Sequence, residues 1–414
     1  MARSQKRRSS AGPRRRRGVT LARAEARIAE LRKRGVPSRS VREELDGPLD
    51  PHLVVETKLP FHRLKLVVGG EEVSGLTVVD FRQQIGSQTV RMGGIAGVGT
   101  HRDHRFRGYA RRLLDSALRW MRREGFATSM LYGIPSFYPK FGYAQAFAGV
   151  EFSMAARDTE RVRPAGFRFV KFAPAHLSAV LRMYHRNNAG RTGPTRRDRK
   201  HWRPFRKGIH FGSKAVAKVA LDARGRPVGY IVHHDEHLRA TVIEAGWATP
   251  RVWPDLLRAA GRLAIRQRME YVRFILPEDD ALMEYAKPLG YRKTTRYRAE
   301  SDAQVRMIHV ASALSSVGGE LASRIAGRGG LTLRTNLDDV SLSWSGGDLR
   351  VGPPKRVGPQ GRLPQWALAQ LLYGYRSAEA LRAAGVLRAS PAAEEVLAEL
   401  FPLRPHFHYP VDQF

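Results

Sequence analysis

At 414 residues, 42% of them hydrophobic, the chain can bury a substantial core and exceeds one ordinary domain of roughly 100–200 residues. It contains no run of about 18 apolar residues and its basic N-terminus lacks the apolar segment of a secretory signal, which predicts no membrane span and a cytoplasmic location. With 72 Lys and Arg against 38 Asp and Glu the formal charge is +34, a balance that suits polyanions, while the lack of cysteine excludes disulfides, thiolate metal sites and cysteine nucleophiles.

The first stretch, "RSQKRRSSAGPRRRRG", sets Arg14–Arg17 among Ser, Gly and Pro, the composition of a disordered arm. It reads equally as a solvated tail and as a weak polyanion-binding arm. "TLARAEARIAELRKRG" reads as a short helix ended by Gly35, and arm and helix together take residues 1–34. "RLKLVVGGEEVSGLTVVDF" then places two strand-like runs about a Gly-rich turn, and "QTVRMGGIAGVGT" adds a third. In "VGTHRDHRFRGYARRLLDSALRWMRREG" a strand runs through arginines and a glycine into a helix with Leu113, Leu114, Ala117, Leu118 and Met121 on one face. "ATSMLYGI" reads as a buried strand and "PSFYPKFGY" as a short helical turn into a loop.

A comparable order returns downstream, which marks an internal repeat. "AVAKVALDARGRPVGYIVHH" repeats the hairpin, "ATVIEAGW" the third strand, "PDLLRAAGRLAIRQRM" the helix and "EYVRFILP" the buried strand. Phe141-Gly142-Tyr143 closes the first copy and Leu289-Gly290-Tyr291 the second. From about residue 303, "GGLTLRTNLDDVSLSW" alternates apolar and polar positions before the helical "LPQWALAQLLYGY" and "AAEEVLAELF", a smaller α+β domain. "HHDEH" at residues 233 to 237 offers metal-ligand types at a hairpin turn without the helical spacing of a His-Glu zinc site, so no metal is expected.

Where a strand runs directly into a helix, the first helical N–H groups lack internal partners and the positive end of the macrodipole is exposed, a ready site for phosphate. Gly108 removes the side chain where a pyrophosphate would approach the backbone, and Arg105, Arg107 and Arg111 add charge at the rim. In the second copy, "GWATPRVWPDLL" has neither basic cluster nor glycine, and Pro250, Trp253 and Pro254 fill the turn.

Three antiparallel strands, a basic glycine turn, an amphipathic helix, a further strand and then a tyrosine resemble the GNAT acyltransferase fold. An active GNAT copy, a degenerate one and a small terminal domain resemble, over roughly residues 50 to 414, the Eis (enhanced intracellular survival) N-acetyltransferases, whose last domain is similar to sterol carrier proteins; "SFYPKFGY" and the ending "HFHYPVDQF" are the most specific marks. The resemblance implies a mixed α+β fold with tandem GNAT folds at 35–155 (catalytic) and 156–300 (degenerate), then a sterol-carrier-like α+β domain at 301–414. It departs from the family at Arg102, where proline is common, and in lacking a recognisable opening strand and paired helices upstream of residue 50.

By position the resemblance implies acetyl-CoA as co-substrate. Val98, Gly99 and Thr100 would meet its pantetheine arm along a splayed third strand, and the turn Arg105, Phe106, Arg107, Gly108, Tyr109, Ala110 and Arg111 would hold its pyrophosphate. Gly133 and Ile134 would contact its far end. Tyr138 would be the acid that protonates the departing thiolate, with Tyr132 and Tyr143 as rivals, and the main-chain carboxylate of Phe414 would be the base. A free α-carboxylate with a pKa near ~3.5 is ionised at pH 7 and could take a proton from an ammonium directly or through a water. His406, His408 and Asp412 are the next candidate bases.

The expected function is acetyl transfer to a primary amine of a small molecule or a protein lysine. The competing reading is a nucleic-acid- or ribosome-associated binding protein on an acyltransferase scaffold, in keeping with the basic arm. A polycationic aminoglycoside would be repelled by the charge of +34 unless acids line the site, and Gln413 stands where aminoglycoside-acetylating relatives tend to have an acid, next to Asp412. Relatives assemble into rings, so a homo-oligomer is among the expectations.

Overall fold

The computed structural model describes residues 51–205, 214–234, 239–299, 302–355 and 358–414. The basic arm, its short helix, and all of the "HHDEH" stretch after His234 lie outside the described residues.

Strands β1 (His52–Lys58), β2 (Phe61–Val68), β3 (Glu71–Ile85) and β4 (Gln88–Thr100) lead through helix α1 (Tyr109–Arg123) to β5 (Thr128–Gly133) and the short β6 (Ala144–Gln145). A second run holds β7 (Gly149–Ala155), β8 (Arg168–Lys171), α2 (Leu177–Asn187), β9 (Ala215–Leu221), β10 (Pro227–His234) and β11 (Thr241–Trp247), then α3 (Trp253–Arg266), β12 (Tyr271–Phe274), α4 (Ala281–Ala286) and β13 (Arg292–Arg296). The third run begins with β14 (Asp302–Met307), α5 (Val310–Ser316), α6 (Gly318–Ala322), β15 (Arg328–Arg334), β16 (Asp339–Ser345) and β17 (Asp348–Gly352). It ends with β18 (Gln360–Arg362), α7 (Gln365–Leu372), α8 (Ala378–Ala383), β19 (Arg388–Ala389) and α9 (Pro391–Leu400).

The fold is mixed α+β, and the described residues form three sheets, ordered β1-β2-β3-β4-β5-β14-β6, β13-β7-β12-β11-β10-β9-β8 and β17-β16-β15-β18-β19. The repeat seen in the sequence is visible in the pairing. β4 and β5 run parallel from Met92 opposite Thr128 to Ile95 opposite Leu131, and β11 and β12 run parallel at Thr241 opposite Arg273 and Val242 opposite Phe274. β1, at His52–Lys58, supplies a strand just before the hairpin.

Sheet membership does not follow chain order. β7, which closes residues 35–155, pairs antiparallel with β12 and β13 in the second sheet, whereas β14, near the start of residues 301–414, pairs antiparallel with β5 and β6 in the first. The exchange gives the central strands β5 and β12 a partner on each side, so their buried backbone groups are bonded on both edges.

The described residues form two compact units: a smaller one of residues up to 56, 64–76 and 98–113, and a larger one of 57–63, 77–97 and 114–414. In the larger unit the third sheet shares one apolar cluster with the first, joining Ile85, Met92 and Met130 to Leu314, Leu331, Leu368 and Tyr373. Gln365 stitches the two together, its Oε1 accepting from the Met307 amide at 2.8 Å and its Nε2 donating to the Gly142 carbonyl at 2.6 Å. The second sheet has its own core around Phe152, Ile231, Leu256, Leu257 and Phe274.

Candidate active site

In the smaller unit, β4 ends on Val98, Gly99 and Thr100. Ser74 braces this end, its hydroxyl donating to the Gly99 carbonyl at 2.7 Å and meeting Thr100 Oγ1 at 3.0 Å. A single turn over Arg102–His104 follows. The chain then takes two left-handed residues, Phe106 at φ 62° and Gly108 at φ 78°. A Cβ at Gly108 would meet nothing within 4 Å, so the turn needs glycine for its backbone angle and leaves the backbone open to approach. Phe106 is fully exposed, an unusual setting for an aromatic ring on a left-handed residue.

Helix α1 starts at Tyr109, with the Arg112 amide bonding back to the Gly108 carbonyl at 3.1 Å, and the amides ahead of it have no acceptor within the helix. Its first turn carries no acid. Arg105, Arg107 and Arg111 are exposed, and no ion pair holds them among the described residues. The turn therefore presents free N–H groups, the positive helix end and three exposed guanidinium groups to an anion, that of Arg105 also reaching the Thr100 carbonyl at 3.4 Å.

The matching helix of the second copy is built differently. A turn over Pro250–Val252 precedes α3, and Asp255 sits in the first turn of the helix. Asp255 is buried and accepts backbone N–H bonds from Ala165, Gly166 and Phe167 at 2.8, 3.1 and 3.1 Å. The positive end of α3 thus already carries a fixed carboxylate, and a phosphate there would meet a like charge.

In the larger unit, the pairing of β4 with β5 stops at Ile95 and Leu131, two residues short of Gly97, whose φ of 59° turns the strand as a bulge would. At the end of β5, Gly133 is half-buried and the following Ile134 exposed. Tyr138 opens the short helical turn Tyr138–Phe141 and packs its ring so closely on Gly133 that a Cβ there would lie 2.3 Å from its Cδ2. Burial raises the Tyr138 phenol above its ordinary value, and its hydroxyl has no hydrogen-bond partner among the described residues. Tyr143 differs: it is fully buried, its hydroxyl is bonded to Ser129 Oγ at 2.7 Å, and burial pushes its phenol up to about 12. Tyr143 is a core tyrosine with its hydroxyl engaged. Tyr132 lies against Phe414, with ring centroids 5.8 Å apart.

Phe414 is half-buried, and its ring is pressed on the backbone of β4 at Gly94, where a Cβ would fall 2.6 Å from Cε1 and Cζ. Phe81 at 5.7 Å, Tyr132 at 5.8 Å and His408 at 6.5 Å between centroids complete its surroundings. His408 is buried, and burial lowers its pKa, disfavouring the charged form. His406 has its Nε2 bound by the Ala148 amide at 3.2 Å. As candidate bases, both histidines are engaged with the backbone.

The sequence reading missed a charged cluster behind this tail. Arg197 is wholly buried and donates to both Glu244 oxygens at 2.7 and 2.6 Å, and to Asp412 through Nε at 3.0 Å and Nη2 at 3.0 Å. Its guanidinium lies 3.6 Å from the centroid of Tyr184 and 4.3 Å from that of Trp202. The Trp202 indole N–H donates to Asp412 Oδ1 at 3.0 Å and the Tyr230 hydroxyl to Glu244 Oε1 at 2.7 Å. Burial pushes the Glu244 carboxyl up, and Arg197 pulls it back.

Residues 60–146 match the acetyltransferase (GNAT) domain family, so the protein is an enzyme carrying a GNAT-type acetyltransferase domain, a class that uses acetyl-CoA and an acceptor. Among solved structures, the chain is similar to a probable N-acyltransferase from Enterococcus faecalis V583 at 16% identity and a TM-score of 0.70, over 86% of this chain and 90% of that one. A GCN5-related N-acetyltransferase from Anabaena variabilis is similar at 20% identity and a TM-score of 0.69, over 86% and 90% of the two chains. Eis1 from Mycobacterium abscessus is similar at 19% identity and a TM-score of 0.62, over 85% and 91%. At these identities the likeness defines the fold. No curated protein matches the chain in sequence. Among the described residues no helix is long and apolar enough to cross a membrane, and no group of three or more His, Asp or Glu is placed to hold a metal ion.

Proposed function

We propose that the protein is an acetyl-CoA-dependent N-acetyltransferase acting on a primary amine of a small molecule or a protein lysine. The observation that carries the reading is the acid-free, arginine-flanked glycine turn at the start of α1, in a stretch that matches the GNAT domain. In this reading Arg105 to Arg111 receive the pyrophosphate, Val98, Gly99 and Thr100 the pantetheine arm, and Gly133 and Ile134 the far end of acetyl-CoA. Residues 35–155 form the catalytic domain, 156–300 a degenerate copy in which Asp255 occupies the phosphate position, and 301–414 a sterol-carrier-like domain. A weak polyanion-binding arm at residues 1–34, a homo-oligomer and a cytoplasmic location complete it.

The chemistry needs a free amine to attack the thioester carbonyl and a proton for the departing sulfur. The carboxylate of Phe414 takes the amine's proton, and Tyr138 delivers one to the thiolate. A phenol near ~10 gives a proton to a thiolate whose thiol has a pKa near ~8.5 at an uphill cost of about 2 kcal/mol. Burial moves Tyr138 further that way, so the transfer depends on the same desolvation raising the basicity of the thiolate.

A thiol-release assay with acetyl-CoA across a panel of amines tests the function. Amine-dependent release is the expected result. No release with any amine, together with salt-sensitive binding of RNA, would favour the binding-protein alternative. One glycine added after Phe414 tests the base, because it moves the carboxylate by ~3.5 Å against a catalytic tolerance of about 0.5 Å. Turnover should collapse while acetyl-CoA still binds.

A further inference from the structure

We propose that Arg197 is a positioning residue that, through Asp412, fixes Phe414 in its working place, an inference resting on the reading that Phe414 carries the base. The Arg197 side chain has no exposed surface and that of Asp412 is 2% exposed. The guanidinium uses both edges: one holds Glu244 of β11 with two bonds, the other holds Asp412 with bonds from Nε and Nη2. Trp202 adds a third donor to Asp412. Planar, two-point pairing of this kind fixes the orientation of a carboxylate as well as its distance. Asp412 is two residues before Phe414, so a fixed Asp412 confines Phe414 to within about 7 Å of extended chain, and the close seat of its ring on Gly94 narrows this further.

Buried ion groups of this sort are weak sources of stability, since apolar residues of similar volume often do as well, and their benefit is a defined geometry. Other bonds hold the segment further back: the Phe407 amide donates to the Thr192 carbonyl at 2.9 Å and the Tyr409 hydroxyl to Asn188 Oδ1 at 3.0 Å. These secure residues 407 to 409, while the Asp412 and Gln413 amides donate to the Tyr409 and Pro410 carbonyls at 3.0 and 3.2 Å and close a turn within the tail itself. Asp412 carries the hold onward to the ring that rests on Gly94.

The test compares full-length Asp412→Asn and Trp202→Phe with wild type and with the chain extended by one glycine. It reads kcat by thiol release, KM and Kd for acetyl-CoA, the melting temperature, and hydrogen exchange of residues 410–414. Asp412→Asn should lower kcat at least ten-fold, leave KM and Kd for acetyl-CoA within two-fold, and speed exchange in the tail. Trp202→Phe removes one donor and should shift the same quantities in the same direction by about three-fold, which keeps the inference testable should the first variant fail to fold. Wild-type kcat in Asp412→Asn beside an inactive extended chain would overturn the clasp alone. So would a fall in kcat matched by an equal loss of acetyl-CoA affinity, the mark of a general structural defect. Full turnover in the extended chain would instead overturn the Phe414 base, and the positioning role with it.

Discussion

Gly94→Ala is a small substitution aimed at the seat of Phe414. The added methyl group would lie 2.6 Å from two ring carbons of Phe414 and 2.8 Å from a third. Non-bonded carbons settle no closer than about 3.5 Å, so the ring must retreat by about 1 Å. A displacement of that size exceeds the roughly 0.5 Å tolerated by a catalytic group and can cost on the order of 100-fold in rate, about 2.7 kcal/mol of barrier. Overpacking a core position costs about 1–3 kcal/mol, but Phe414 is only half-buried and can shift more cheaply than a core side chain. Replacing glycine where the backbone permits alanine also returns about 0.4–1 kcal/mol through the unfolded chain. Stability should therefore change little while turnover falls steeply. Thiol release at saturating acetyl-CoA measures kcat, calorimetry measures cofactor affinity, and a melting curve monitors the fold. Wild-type kcat in a folded Gly94→Ala protein would refute the idea that the placement of Phe414 governs the reaction.

Gly108→Glu should abolish acetyl-CoA binding by setting an anion at the phosphate turn, whereas Gly108→Ala, with open space around it, should show only the strain of a left-handed alanine, about 1–2 kcal/mol; calorimetry in which the two bind alike would count against the turn. Tyr138→Phe should reduce kcat far more than acetyl-CoA affinity, and an equal loss of both would leave Tyr138 a packing residue. Burial pushes the Asp280 carboxyl up to about 6, against about 3.9 in an unfolded chain. The folded protein thus holds this proton more tightly, and the group favours folding most below about pH 4, less as pH rises to about 6, and least above that, a change of about 3 kcal/mol. Asp280→Asn, which can still accept from the Leu282 amide, should flatten this slope in melting temperature between pH 4 and 6; an unchanged slope would assign it to other groups. Removing residues 1 to 18 should leave acetylation of a small amine intact and weaken any salt-sensitive RNA binding, as a filter-binding salt titration would read.

The hairpin, the strand entering α1 and the helix face were legible because period and turn residues are local signals. Leu113, Leu114, Ala117 and Met121 are all buried. The partner of a strand is not a local signal. Nothing in "GVEFSMA" states that it pairs with Tyr271–Phe274, and nothing in "DAQVRM" that it returns to Thr128–Gly133. Arg197 was illegible for a related reason. In "PTRRDRK" it reads as one more solvated charge, and its burial emerges only when Tyr184, Trp202, Glu244 and Asp412 converge on it from distant places in the chain. The choice between Tyr138 and Tyr143 was similarly open in sequence. The bond from Ser129 to Tyr143 shows which hydroxyl is already engaged.

The same cluster bears on the acceptor of the proposed reaction. A formal charge of +34 repels polycations at long range, but beyond a Debye length of about 8 Å at physiological salt that field is largely screened, so the groups close to the reacting amine decide. The acid nearest Phe414 in the chain is Asp412, and its carboxylate is enclosed by Arg197 and Trp202. The rings around Phe414 belong to Phe81, Tyr132 and His408, none of them anionic. A polycationic acceptor would find no counter-charge in these groups. An amine with one positive charge loses it when Phe414 takes the proton, and its remaining body can then rest on aromatic faces. On the proposed reaction, these described groups offer a monoamine more than a polycation, and an amine panel arranged by charge tests this: faster turnover of polycationic amines than of monoamines would overturn it.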